Sequence, residues 1–302
     1  MKIALIGSGI MGAGMAGGLA AEGAQVVLLG RSAPKCGEAK AQALELAAGL
    51  RGGAVSPGLI ECALIDEWDG WQGVDLVIET VTEDLALKQK LFALLDARVP
   101  VAVPIGSNSS GFPISKIAAG LKSRSRMLGT HTFMPAHIVP LVEVVLGEDS
   151  DPTVGERVCT IFRALGKKPV LVKKDIPGFL ANRIQHALMR EALSLIDAGI
   201  ASPEDVDVAV RYSFGFRYAA IGPILQKEIS GWDTVYNAAR EIYPSLSNTA
   251  EAPRCLAERF AQGKHGMKTG EGFLRWSAEG IRQTRSGYDA RLKAAFEILK
   301  SG

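Results

Sequence analysis

The chain begins with a strand-like run that stops at a glycine turn and resumes as a small-residue helix, and this order narrows the possible folds more than anything else in it. Ile3, Leu5 and Ile6 form a buried-strand run, Gly7, Gly9, Gly12 and Gly14 follow, and Met11 to Ala20 is rich in glycine and alanine. The spacing G-x-G-x-x-G is weak by itself; its position between a strand and a helix is what carries meaning. In that position Gly7 makes the tight turn, Gly9 lets the backbone approach a pyrophosphate, and Gly12 lets helix and strand pack closely. Free amides at the helix N-terminus then face the phosphates. The expectation is a dinucleotide-binding βα unit, with Gly7, Gly9, Ile10, Met11 and Gly12 as cofactor contacts.

The second strand bears on the choice of cofactor. Gln25–Leu29 is apolar, and about twenty residues past the glycines an Asp or Glu is expected to bond the adenine ribose. Here the strand ends in Gly30-Arg31-Ser32. With no carboxylate to repel it, a 2′-phosphate can be held by the Arg31 guanidinium and the Ser32 hydroxyl. Gly30, Arg31 and Ser32 therefore favour NADP over NAD; the alternative is that Arg31 stacks on the adenine of NAD.

At 302 residues the chain has room for two domains. Short β-type runs at Gln25–Leu29, Leu76–Glu79, Val101–Ile105, Met127–Thr130, Leu141–Val145 and Pro169–Val172 alternate with helical stretches at Pro34–Gly49, Leu85–Ala97 and Pro152–Leu165. That alternation predicts an α/β fold with a Rossmann-type, doubly wound, mostly parallel sheet. Beyond residue 175 the pattern becomes helical: Leu180, Ile184, Leu188 and Leu195 recur at helical spacing, and Ser202-Pro203-Glu204-Asp205 reads as a helix start. The boundary is set at residues 175/176, with a dinucleotide-binding domain over 1–175 and an all-helical domain over 176–302.

A formal net charge of +2 and the lack of a dense basic run argue against a nucleic-acid partner. Lys167, Lys168, Lys173 and Lys174 flank a short apolar run and read as the solvated ends of a strand. Cys36, Cys62, Cys159 and Cys255 form no C-x-x-C pair, so neither a metal site nor a redox motif is expected. No apolar run reaches membrane-spanning length, and a strand starting at residue 2 leaves no signal peptide; a cytoplasmic setting is expected.

Candidate chemistry gathers near the carboxyl ends of the strands. Ser110 follows Val101–Ile105 in the loop Ser107-Asn108-Ser109-Ser110-Gly111, and His131 ends Met127–Thr130. Glu143 lies inside the apolar run Pro140–Val145, where a lone charge is costly and needs a partner. A carboxylate on one imidazole nitrogen fixes the tautomer, frees the other nitrogen to take a proton and stabilises the imidazolium. A His131–Glu143 pair therefore suits removal of an alcohol proton while hydride leaves for a nicotinamide. Asn182, early in the first helix of the second domain, is placed to bond a substrate oxygen. In isolation each residue also has a structural role: a satisfied strand-end histidine, a glutamate at a sheet edge, a turn serine.

The blocks Gly7–Gly12, Ser107–Ser110, Gly129-Thr-His-Thr-Phe-Met-Pro135, Pro140–Val145, Asp175-Ile-Pro-Gly-Phe-Leu-Ala-Asn-Arg183 and Lys268-Thr-Gly-Glu-Gly-Phe273 resemble the signature blocks of the 3-hydroxyacyl-CoA dehydrogenases, in the same order and across almost the whole chain. That resemblance implies His131 as catalytic base, Glu143 as its orienting partner, Ser110 and Asn182 on the substrate oxygens, and Glu83, Lys88, Ser110 and Lys268 on the cofactor. It also implies a homodimer formed through the C-terminal domain. Two positions depart from the pattern: Met134 stands where the family usually has asparagine, and the aspartate after the second strand is missing.

Phe214–Pro223 and Pro135–Pro140 are more similar to the branch that includes lambda-crystallin (gulonate 3-dehydrogenase), carnitine dehydrogenase and a pyridine-carboxylate dehydrogenase. Arg217 is then either a bidentate ligand for a substrate carboxylate or an interface or surface arginine. The expected activity interconverts 3-hydroxy and 3-oxo groups on an acyl-CoA or a small β-hydroxy carboxylate. The alternatives are a small charged alcohol or aldehyde as substrate, or a non-catalytic dinucleotide binder of crystallin type.

Overall fold

The computed structural model describes residues 1–300. Its first compact unit, Met1–Arg183, holds β1 (Lys2–Ile6), α1 (Ile10–Ala21), β2 (Gln25–Gly30), α2 (Ala33–Arg51), β3 (Ile60–Leu64), β4 (Leu76–Glu79), α3 (Leu85–Arg98), β5 (Ile105–Ser107), α4 (Ile114–Ile117), β6 (Met127–Thr132), β7 (Leu141–Leu146), α5 (Pro152–Ala164) and β8 (Lys168–Val172). The strands form one sheet in the order β3-β2-β1-β4-β5-β6-β7-β8. Every neighbouring pair is parallel except the antiparallel β6–β7. Apolar residues of β1 and β2 alternate between two cores. One face packs Ile3, Leu5, Val26 and Leu28 under α1, α2 and α5, and the other packs Ala4, Ile6, Val27 and Leu29 under α3 and α4.

The start of the chain folds as its glycines require. Gly7 has φ +123°, and a Cβ there would meet Thr80 Oγ1 at 2.5 Å; a Cβ on Gly12 would collide with the Gly7 carbonyl. Farther along α1, a Cβ on Gly17 would sit 2.7 Å from the Ala43 carbonyl of α2. The glycines weaken α1 intrinsically, by about 1 kcal/mol each against alanine, and the close approach of α1 to β1 and α2 offsets that cost.

Several expectations are corrected. The strand expected at Val101–Ile105 is β5, Ile105–Ser107. Val101 is exposed, because Pro100 and Pro104 bracket a turn and the chain meets the sheet only where the Pro104 carbonyl accepts from Val77 N. Edge strand β3, with exposed Glu61 and Cys62, has no clear alternation and was not anticipated. β6 runs on to Thr132, so His131 lies inside a strand rather than at its end. Lys167 is buried, not solvated. Apart from these corrections, the first compact unit itself runs to Arg183, with segment 175–183 bonded to it: Ser115 N of α4 donates to Asp175 Oδ2 (2.9 Å), and Glu143 of β7 accepts from the amides of Leu180 and Ala181.

The second unit begins at Ile184, within α6 (Ala181–Asp197). It continues with α7 (Pro203–Tyr212), α8 (Phe214–Ala220), α9 (Pro223–Ser230), α10 (Trp232–Ile242), α11 (Arg254–Ala261) and α12 (Ala278–Lys300). Ser202 caps α7 in a reciprocal capping box with Asp205. Among the described residues of this unit no strand forms.

Candidate active site

The antiparallel β6–β7 pair places His131 directly opposite Glu143 in register. Their side chains meet inside the protein, His131 Nδ1 to Glu143 Oε2 at 2.7 Å, with His131 4% exposed and Glu143 fully buried. The carboxylate accepts, so the proton is assigned to Nδ1 and the Nε2 lone pair is left available. The other carboxylate oxygen accepts from two amides at the start of α6, Leu180 N (3.0 Å) and Ala181 N (2.7 Å). A helix N-terminus thus supplies donors and a favourable dipole to an anion taken out of water. Burial pushes the Glu143 carboxyl up, but the bonds from His131, Ala181 and Leu180 outweigh it and hold it below the ordinary carboxylate range.

The sign for stability follows from that direction. A group whose folded pKa is depressed adds stability above its unfolded pKa and loses it as pH falls through the folded value. The melting temperature is therefore expected to fall as pH drops below about 4.5, the ordinary glutamate range, and a Glu143→Gln variant should show a shallower acid limb. Equal acid limbs in the two proteins, followed by circular dichroism, would assign the acid sensitivity to other carboxylates.

Two rings pack on the imidazole, Phe133 with its centroid 4.6 Å away and Phe179 at 5.5 Å. Phe179 is buried with φ 48°, a left-handed conformation costing a bulky residue about 1–3 kcal/mol. That bend is what turns the Leu180 and Ala181 amides onto Glu143. Asn182 follows immediately in the first turn of α6 and is half-buried.

The loop carrying Ser110 is held from two sides. Asn108 Oδ1 accepts from the amide and the hydroxyl of Thr132, both at 2.8 Å, tying the loop to the residue after His131. On the other side Glu83 accepts from the Ser109 hydroxyl and from Gly111 N (3.0 Å). Burial pushes Glu83 up, yet the Ser109 and Gly111 bonds and the nearby Lys88 keep it below the usual carboxylate range. Ser110 itself is exposed. Beneath the loop, fully buried Glu79 binds Lys88 Nζ (2.7 Å), Ser107 Oγ (2.7 Å) and Val81 N (2.6 Å).

Sequence reasoning placed Glu83 and Lys88 on the cofactor through the family resemblance alone. In the structure Lys88 is 1% exposed and spent on Glu79 and Glu83, and Glu83 is spent on the Ser110 loop. It overlooked Glu79, Asn108 and Phe179. The one available signal was Glu79, a carboxylate closing the apolar strand Leu-Val-Ile-Glu as Glu143 interrupts its own.

The residues expected at the nucleotide have a local geometry that fits a dinucleotide. Gly9 is the N-cap of α1 with no side-chain capping bond, and a Cβ there would meet open space, so the first-turn amides at Ile10, Met11 and Gly12 are reachable by an anion. Gly30 ends β2 against Cys36 Sγ, Arg31 is exposed, and Ser32 is the N-cap of α2 with its hydroxyl making no capping bond. Arg217, exposed on α8, and Lys268, exposed in the turn before Gly270, belong to the second unit. Among the described residues no cluster of His, Cys, Asp and Glu is arranged to hold a metal, and no helix is long and apolar enough to cross a membrane.

A Rossmann-type sheet with a glycine turn after its first strand and a buried imidazole–carboxylate pair defines a class, the NAD-dependent dehydrogenases acting on hydroxyl groups. The chain belongs to the 3-hydroxyacyl-CoA dehydrogenase family, its residues 2–176 matching the NAD binding domain and 178–276 the C-terminal domain. It is 34% identical to the 5-formyl-3-hydroxy-2-methylpyridine 4-carboxylate 5-dehydrogenase of Mesorhizobium japonicum, covering 99% of this chain and 98% of that protein. An L-carnitine dehydrogenase from Oceanobacillus iheyensis is 34% identical over 87% of this chain and 89% of its own length. Among solved structures, a 5-formyl-3-hydroxy-2-methylpyridine 4-carboxylic acid 5-dehydrogenase, described as an NAD+ dependent dismutase, superposes with a TM-score of 0.91 at 32% identity over 99% of this chain and 98% of that one. The (S)-3-hydroxybutyryl-CoA dehydrogenase of Ralstonia eutropha gives 0.73 at 29% identity over 91% and 99%.

Proposed function

We propose that this protein interconverts a hydroxyl and a carbonyl group on a small carboxylate, with His131 as the general base and Glu143 as its partner. The buried 2.7 Å contact between those two side chains is the observation that carries the reading. In the oxidation direction His131 Nε2 takes the hydroxyl proton, and Glu143 stabilises the imidazolium across Nδ1. Ser110 and Asn182 donate to the oxygen as it becomes a carbonyl. A bound nicotinamide supplies the hydride acceptor. The other substrate form is a 3-hydroxyacyl-CoA, which presents the same hydroxyl unit. The TM-score of 0.91 to a pyridine-carboxylate enzyme, against 0.73 to an acyl-CoA enzyme, supports the small carboxylate. In this reading Arg217 binds the carboxylate.

The test is turnover on 3-hydroxybutyryl-CoA, L-carnitine, L-gulonate and a formylpyridine carboxylate, with NAD and with NADP. Activity confined to the CoA thioester would overturn the small-substrate reading. Tight cofactor binding with no turnover on any of them would favour a structural, crystallin-like role.

NADP is the proposed preference, supported by exposed Arg31, the uncommitted Ser32 hydroxyl and the missing carboxylate after β2. Arg31→Ala is expected to weaken NADP binding at least about tenfold, roughly 1.4 kcal/mol, and to leave NAD nearly unchanged in a fluorescence titration. A tenfold preference of the unmodified protein for NAD would overturn it. Glu83 remains proposed as a cofactor-side residue through the Ser110 loop, Lys88 as the charge that holds Glu83, and Lys268 as a phosphate contact. The division at residue 175 is proposed as the functional boundary between nucleotide and substrate domains.

A homodimer through the helical domain is proposed because, among the described residues of the second unit, Leu193 and Cys255 are the buried apolar side chains while Phe216, Ile229, Tyr236 and Phe260 are largely exposed. A cytoplasmic location is proposed from the four cysteines, which form no disulfide. No nucleic-acid or membrane partner enters this reading.

A further inference from the structure

Lys167, which precedes β8, is a buried cation that the proposed chemistry leaves unused. It is 9% exposed, and its Nζ donates to the carbonyls of Ala136 (2.9 Å) and Val139 (3.2 Å). No ion pair among the described residues includes it. Burying an ammonium without a carboxylate is costly, so the two carbonyls are where the return must lie.

Those carbonyls belong to one helix-like turn in the connection between β6 and β7, where Ile138 N and Val139 N both donate to Pro135 O at 3.0 Å. The turn's outward carbonyls would otherwise be left unsatisfied. The turn lies on α1: Cβ atoms built on Gly14 and Gly18 would stand 3.4 Å from Ala136 Cβ and 3.1 Å from His137 Cα. At the front of the same connection is Phe133, packed edge-on against the His131 ring. One short segment therefore touches the cofactor helix, flanks the imidazole and joins the strand of His131 to the strand of Glu143.

We propose that Lys167 is a positioning residue of the active site, its ammonium capping the turn at 135–139 and so fixing the β6–β7 connection between helix α1 and the His131 ring. The proposal rests on the dehydrogenase reading for its kinetic consequence but not for its structural one. The charged or titratable side chains on the surrounding elements are Glu22 at the end of α1, Arg163 in the last turn of α5, Lys168 beside it on β8 and His137 in the connection itself. Burial pushes the Lys167 ammonium down to about 8, with Glu22 opposing that shift in part. Neutralising it turns two charge-assisted bonds into ordinary ones of about half the strength.

Two measurements test this. In the unmodified protein, hydrogen-exchange protection of the Ile138 and Val139 amides is expected to fall between pH 7 and 9.5, after correction for intrinsic exchange; unchanged protection would overturn the proposal whatever the enzyme's substrate. In kinetics with the best substrate of the four compounds above, Lys167→Met is expected to lower kcat at least tenfold while the Kd for NADP and NAD stays within threefold. Lys167→Arg, which keeps charged donors, should recover most of that loss. A kcat within twofold of the unmodified enzyme in Lys167→Met, a fall in cofactor affinity that accounts for the whole loss, or an arginine variant as impaired as the methionine one would each overturn it. Absence of turnover in the unmodified protein would instead count against the dehydrogenase reading and leave the exchange experiment to decide.

Discussion

Replacing His131 with alanine is expected to lower turnover by at least about a hundredfold, the lower range for loss of a general base. The imidazole is 4% exposed, bonded at Nδ1 to a carboxylate that is itself held by two amides, and flanked by Phe133 and Phe179, so its orientation is set before substrate arrives. His186, exposed on α6, and His265, exposed in a turn, lack this setting. Cofactor affinity should survive the change, because the pyrophosphate cradle proposed at Gly7, Gly9 and Gly12 follows β1, a different part of the sheet. Near-normal turnover in His131→Ala would remove the histidine from its role.

The second large effect is expected from Glu143→Gln, a change of one atom that keeps shape. The Leu180 and Ala181 amides donate to Oε1. They hold the glutamine carbonyl on their side and so turn its NH2 toward His131. An NH2 donates where the carboxylate accepted, so Nδ1 becomes the acceptor and the proton moves to Nε2. The nitrogen meant to take the substrate proton is then occupied. In the Ser-His-Asp hydrolases the equivalent loss, from the wrong tautomer with the geometry intact, is about ten-thousandfold, and a fall of about 10²–10⁴ in kcat is expected here. The fold should persist, since all three partners, the His131 ring and the Leu180 and Ala181 amides, remain bonded. A variant with kcat within threefold of the unmodified enzyme would show that Glu143 only anchors the start of α6.

How far the site was legible depends on how local its causes are. The glycine turn, the capping of α7 and the apolar strands are short-range effects, and they appear where periodicity and turn chemistry put them. Glu143 was legible because a carboxylate within a strand of valines and leucines demands a partner, and the strand ending near His131 was the plausible source. The reason that His131 and Glu143 meet was not legible: it is the antiparallel reversal of β7 within a sheet that is otherwise parallel. That Lys88 and Lys167 are buried was not legible, because each is made tolerable by contacts from afar in sequence, Lys88 by Glu79 and Lys167 by carbonyls of the β6–β7 connection. Asn108 could not be told from a loop residue until Thr132 lay beside it.

From the amino-acid sequence alone follow the nucleotide-binding βα unit, the succession of strands and helices, the change to helices in the second half, and the residue types available for proton transfer. Each depends on hydrophobic period or backbone freedom over a few consecutive residues. The tertiary structure alone decided which charges are buried and what neutralises them: Glu143 by a ring and two helix amides, Glu79 by Lys88 and Ser107, Lys167 by two carbonyls. A buried charge is tolerated only where separate strands and loops converge on it, and that convergence is a property of sheet order and register.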